Sequence, residues 1–213
     1  MNQWLDISQR LNENTPYWPG DTQYSYRLNS SMAEGSSVNV GEIRMSTHLG
    51  THIDAPYHFD ENGKKIIELY LDLYIGTATV VKVDAAESIG IKAFEGIELT
   101  GVRRLLVATG QWKDLSRFPE WIPPVEPDLA PFLANKGVRL LGLDLPSVDC
   151  LDSKELPSHN KLSGCGIHKL EGLVLDGLEP GLYDLAALPL ALDQGTGARS
   201  GRGEEERLMR GIK

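Results

Sequence analysis

The stretch Ser46-Thr-His-Leu-Gly-Thr-His-Ile-Asp-Ala-Pro-Tyr-His-Phe59 holds three of the chain's five histidines. His48, His52, Asp54 and His58 follow the spacing H-x3-H-x-D-x3-H. Whether the segment is helical or extended decides how those side chains meet. Gly50 and Thr51 weaken a helix, and Pro56 would collide with the turn before it. An extended segment puts residues i and i+2 on one face, so His52 and Asp54 point the same way. A bend at Gly50 brings His48 to the same place. Imidazole with carboxylate is a donor set for a borderline divalent cation such as zinc or manganese. The competing reading is a surface loop that happens to be rich in histidine. Ligand type and spacing favour an extended metal-binding segment, and a catalytic one.

Outward from that segment, short branched-residue runs predict strands at Val38–Met45, Thr77–Val83, Arg104–Thr109 and Val138–Leu143. A helix is expected from near Pro127, a good first helical residue, to Gly137. A second helical candidate, Ala85–Phe94, is weakened by Gly90. Trp112–Val125 holds two Trp and three Pro and reads as an irregular loop, either core padding or a lid. No repeat or linker divides the chain. The order fits a single α/β domain with a mixed sheet and few helices, over residues 1–193. Residues 194–213 turn glycine-rich and charged and are expected to form a poorly ordered tail.

Composition narrows the partners. The 213 residues are 41% hydrophobic, enough for one domain with a proper core. A net charge of −9 and a pI near 5.0 argue against nucleic acid and anionic membrane. The N-terminus lacks the features of a signal peptide, and no apolar run approaches a membrane span. Cys150 and Cys165 give no disulfide framework, so a cytoplasmic location is expected.

A cluster from one loop needs completing from elsewhere. His159 and His168 remain, with Asp144, Asp149, Asp152, Glu155 and Glu171 near them in sequence. His168 and Glu171 would share a face if that segment were helical. His159 sits in a polar stretch that also suits a ligand loop. Asp144 ends an apolar run, where binding groups often sit, or else it caps a turn. These alternatives stay open on the residues alone.

Further blocks are Trp18-Pro-Gly-Asp21, Val38-Asn-Val-Gly41, Gly142-Leu-Asp-Leu-Pro-Ser-Val-Asp149, Ser153-Lys154 and Leu170-Glu-Gly-Leu-Val-Leu-Asp176. With His48–His58 they resemble, in the same order, the bacterial kynurenine formamidases of the metal-dependent cyclase-like superfamily. The likeness runs from about Trp4 to Leu192 and departs only beyond it. It implies a swivelling β/β/α fold, a homodimer, and hydrolysis of N-formyl-L-kynurenine to L-kynurenine and formate in tryptophan degradation. It implies two divalent ions per chain, Zn2+ with Mn2+ as the alternative. His48, His52 and Asp54 would hold the first ion, and His159 and Glu171 the second, with Asp54 and Glu171 bridging. His58 would move protons, and Trp18 would line the substrate pocket. His168 is left with a structural role. The alternatives are another amide hydrolase of the superfamily, resembling isatin hydrolase with one manganese ion, or a non-catalytic metal-binding relative.

Overall fold

The computed structural model describes residues 4–199 and the backbone of 204–206. Its strands are β1 (Trp4–Leu5), β2 (Ser25–Ser30), β3 (Val40–Arg44), β4 (His52–Asp54), β5 (Ile75–Lys82), β6 (Arg104–Ala108), β7 (Leu140–Leu143), β8 (His168–Glu171), β9 (Gly181–Ala186), β10 (Gly197–Arg199) and β11 (Glu204–Glu206). Two α-helices interrupt them, α1 (Leu129–Lys136) and α2 (Pro157–Gly164). The strands of the main sheet run in the order β1-β11-β9-β5-β6-β7-β8-β4-β10. The centre, β5 to β8, is parallel, and the flanking strands are antiparallel. This is the expected α/β domain with a mixed sheet and few helices.

The central strands read as unbroken apolar runs because both faces of the sheet are covered. Along β6, Leu105 and Val107 pack with α1 and α2, while Leu106 packs into a second core on the other face. Each such side chain contributes roughly 1.5–3 kcal/mol by leaving water. The first core holds Leu129 and Leu133 of α1 and Leu162 of α2. The second holds Ile53 of β4, Leu170 of β8, and Ile66 and Tyr74 from the turns after β4. Pleating then leaves His52, Asp54, Lys169 and Glu171 on the face opposite Ile53 and Leu170. That alternation places the site.

The four expected strands are present within two residues at each end, and α1 stops at Gly137, whose φ is 104°. The candidate helix Ala85–Phe94 is a correction. Only Ile91–Phe94 turns, as a 3-10 helix. Ile89 instead bridges Val125 in parallel, its N–H bonded to the Pro124 carbonyl, and this tertiary pairing draws the segment out straight. In the other direction, the polar stretch after Leu156 is helical.

The boundary expected at residue 193 does not divide the described residues. Gly197–Arg199 pairs antiparallel with β4, and β11 lies between β1 and β9. Residues 200–203 and 207–213 of the expected tail lie outside the described residues. No helix among the described residues is long and apolar enough to cross a membrane.

The pair β2–β3 stands apart as its own two-stranded sheet. In its register Tyr26 faces Ile43 and Leu28 faces Gly41, while Arg27 faces Glu42 on the alternate side. One face is therefore apolar and the other charged. The apolar face is open, with Tyr26 49%, Leu28 47% and Ile43 58% exposed.

Candidate metal centre

β4 carries the heart of the site. Gly50 has φ +66°, the bend expected ahead of it, and from there the chain runs extended through His52 and Asp54. In the antiparallel register of β4 and β8, His52 stands directly opposite Glu171. The approach is close. A Cβ on Gly172, whose φ is +67°, would collide with the Gly50 carbonyl. On the other flank β10 covers β4, and a Cβ on Gly197 would lie 2.7 Å from the His48 ring. Glycine at both positions lets the flanking chains press against the histidine segment.

Two carboxylates and four imidazoles converge there. His48 Nδ1 is 3.0 Å and His52 Nε2 3.4 Å from Asp54 Oδ1. His159 Nε2 is 3.3 Å from Asp54 Oδ2, and His52 Nε2 is 3.5 Å from Glu171 Oε2. His58 stacks on His48, ring centres 3.9 Å apart. The residues expected as ligands, His48, His52, Asp54, His159 and Glu171, thus lie together, with His58 beside them. Ligand atoms within 4.8 Å of one another form the triads His48–Asp54–His58 and His52–Asp54–Glu171. Trp18 lines the cavity above.

The fit to a cation follows from the donors themselves. Asp54 is 2% exposed, and its Oδ2 is buried without a hydrogen-bond partner. An orphaned carboxylate oxygen is costly unless something positive takes it. His52 and His159 are aimed inward by bonds on their outer nitrogens. His52 Nδ1 lies 3.0 Å from the Gly50 carbonyl, and His159 Nδ1 lies 2.7 Å from Asp149 Oδ2. Outer hydrogen bonds of this kind fix the tautomer of metal-binding histidines.

The local electrostatics agree. Burial opposes the charge on Asp54, yet contacts from His159, His48 and His52 hold its carboxyl well below the usual range. Burial, with the Asp54 charge beside it, pushes Glu171 up to about 7. Burial disfavours protonated His159, but its hydrogen bond to Asp149 and the nearby Asp54 carboxylate outweigh this and raise it to about 9. Metal-free, the centre uses protons to balance its carboxylates. His58 behaves oppositely. Its side chain is open at the cavity edge, yet desolvation by the walls, with the neighbouring histidines, lowers it to about 4 despite Asp54. It is therefore uncharged at pH 7.

His168 is elsewhere. Its segment is a strand, so residues three apart point to opposite faces, and His168 Nδ1 is hydrogen-bonded to the Tyr74 hydroxyl at 2.8 Å. Asp144 caps a turn: Thr109 N–H and hydroxyl and Gly110 N–H all donate to it. Two contributors, Thr196 and Lys169, escaped sequence reasoning, and a third, Asp149, stood there only among the nearby acids. Asp149 also accepts the backbone N–H groups of Ser158 and His159, capping α2 from outside it. Thr196 Oγ1, in the stretch expected to be a poorly ordered tail, is 3.0 Å from His48 Nε2. Lys169, 2% exposed, sets its ammonium 4.0 Å from Asp54 Oδ2 and 4.1 Å from the Phe59 ring centre. Lys169 carries the period-2 signal of its strand with Glu171; for Thr196 and Asp149 no local signal exists.

Above the cluster opens a cavity of about 450 Å3. Trp18, Trp112 and Phe118 line it, with Trp18 edge-on to Phe118 at 5.3 Å. The Trp112–Val125 loop is therefore part of the wall and not only padding.

The cyclase family model matches residues 5–150. A kynurenine formamidase from Geobacillus thermodenitrificans (strain NG80-2) is 58% identical over 198 residues, 93% of this chain and 95% of that protein. Among solved structures, a potential metal-dependent hydrolase with cyclase activity superposes with a TM-score of 0.80 at 23% identity, covering 97% of this chain and all of that one. Isatin hydrolase A from Labrenzia aggregata, bound to benzyl benzoate, superposes with a TM-score of 0.77 at 20% identity, covering 96% of this chain and 93% of that one.

Proposed function

The chain belongs to the cyclase family, within its kynurenine formamidase group, and from that membership we propose that it hydrolyses N-formyl-L-kynurenine to L-kynurenine and formate. The observation that carries this is a histidine–carboxylate cluster at the floor of an aromatic-walled cavity. The cluster is assigned to two divalent ions, zinc or else manganese. His48, His52 and Asp54 would hold one and His159 and Glu171 the other.

Divalent ions in such a cluster supply Lewis acidity and bring the pKa of water down to about 7. The chain's own residues do the rest. Trp18, Trp112 and Phe118 offer aromatic surface to the aryl ring of the substrate. His58, neutral at pH 7, takes a proton from the attacking water on a ring nitrogen and returns it to the departing aniline nitrogen. Asp149 keeps His159 turned toward the cluster. Pro56, between Asp54 and His58, stiffens the link between ligand and base.

The same reading makes the protein a homodimer and places it in the cytoplasm. The open apolar face of the β2–β3 ribbon supports the first, since a lone two-stranded ribbon is marginal in water. The free thiols of Cys150 and Cys165 support the second. The net charge of −9 speaks against nucleic acid as a partner.

The test is turnover of formylkynurenine by metal-loaded and chelated protein, with metal content measured on the same samples. Cleavage that needs metal, at two ions per chain and one in His159→Ala, is expected. Opening of isatin in place of formylkynurenine would overturn the assignment.

A further inference from the structure

The cavity's wall carries one formal charge outside the histidine–carboxylate cluster, and it is negative. Among the described residues that line it there is no Lys or Arg, and the carboxylate is Asp21. Asp21 is not loose. Its N–H donates to the Trp18 carbonyl at 2.9 Å, closing a turn over Pro19 and Gly20. Gly20 takes φ +96°, the conformation that the third position of a type II turn requires. One tight turn therefore carries both an aromatic wall, Trp18, and an anion.

A second bond pins the carboxylate from across the ribbon base. Ser46 Oγ donates to Asp21 Oδ2 at 2.9 Å and accepts the His48 N–H at 3.2 Å. Asp21 is thus two hydrogen bonds from the backbone of a cluster residue. Its Oδ1 receives no hydrogen bond from the described residues, which leaves an oriented acceptor at the cavity mouth.

We propose that Asp21 is a specificity-determining residue that receives the α-ammonium of the substrate's amino-acid side arm while the aryl formamide sits against the aromatic wall. This rests on the formamidase reading and deepens it. N-formylkynurenine carries an aryl ring, a formamide and a zwitterionic arm. The wall offers the ring aromatic faces, the formamide the cluster, and the ammonium Asp21. For the α-carboxylate it offers no cation. The site then selects arylformamides bearing a cationic arm over those that lack one.

The experiment compares two ligands on one protein, so a loss of folded material cancels. Binding of L-kynurenine and of 2-aminoacetophenone, which lacks the amino-acid arm, is measured calorimetrically on metal-loaded wild type and D21N. The wild-type preference for L-kynurenine is expected to fall about 10-fold in D21N, the scale of one charge-assisted hydrogen bond near solvent. In turnover, the kcat/KM preference for formylkynurenine over formanilide should fall likewise, through KM. A binding preference that D21N leaves unchanged or increases overturns the role of Asp21. Failure of the wild type to cleave either formamide overturns the formamidase reading instead, and the binding comparison still judges Asp21.

Discussion

The β2–β3 ribbon and the β4 segment are neighbours in sequence and invert the usual placement of side chains in opposite senses. The ribbon exposes Tyr26, Leu28 and Ile43, while β4 buries His52 and Asp54. Scattered exposed apolar residues are ordinary, but a one-sided apolar face on an isolated ribbon is not. Buried charge is equally unusual unless something compensates it. Each region is thus incomplete in the chemistry that would complete it. The ribbon's face is one that an apolar partner surface would cover, and the donors of β4 are ones that a cation would take. The two features lie within thirty residues of chain.

Breaking the polar side should have the largest effect. Chelation, or Asp54→Ala, should abolish formamide hydrolysis together with metal binding, and zinc or manganese should restore the chelated wild type alone. Activity in exhaustively demetallated protein would contradict this. Next, His58→Ala should lose about 10²–10⁴-fold in kcat, typical of a general acid–base group. Because His58 lies within ligand range of His48 and Asp54, metal content must be read on the same preparation. Loss of an ion in that variant would make His58 a ligand.

Asp149→Ala should be milder, weakening metal affinity by about 10–100-fold through the freed His159 ring. On the apolar side, Ile43→Lys should raise the dimer dissociation constant on the order of tenfold, by sedimentation, with turnover per folded chain retained. A monomeric wild type would remove the premise.

The smallest effect is a pH drift that only the metal-free chain should show. His159 is held at about 9, above its unfolded value of about 6.5. The folded chain therefore binds that proton more tightly. The resulting stability is complete below about 6.5 and is lost as pH rises toward about 9. Metal affinity should rise over the same window, since the ion displaces the proton. The melting temperature of chelated protein should fall across it, and His159→Gln should flatten the fall.

What could be read beforehand was whatever local chemistry decides. Gly50 and Pro56 forbid a helix, so the extended reading of the histidine segment follows from the residues themselves. The central strands were legible because double-sided burial writes itself as apolar runs. α2 was not, because Pro157–Gly164 is polar and its cap, Asp149, lies outside the helix and is recruited by the fold. The choice of His159 over His168 came from resemblance alone. Spacing favoured His168 only on the assumption of a helix where the chain forms a strand. β10 has no branched residues at all and is made a strand by the neighbour it covers.

That covering strand has a consequence for how the molecule is made. β4 is flanked by β8 and β10, and His48 meets Thr196 across 148 residues of chain. At roughly 5–20 residues per second, a growing polypeptide spends several seconds with its histidine segment outside the ribosome before either flank exists. During that interval the donors are present but unassembled, free to capture an ion in the wrong geometry or none. The proposed ligands all exist once Glu171 has been made, and the strand that covers His48 only once Gly197 has. Assembly of the cluster therefore waits on contacts distant in sequence, which are slow to form.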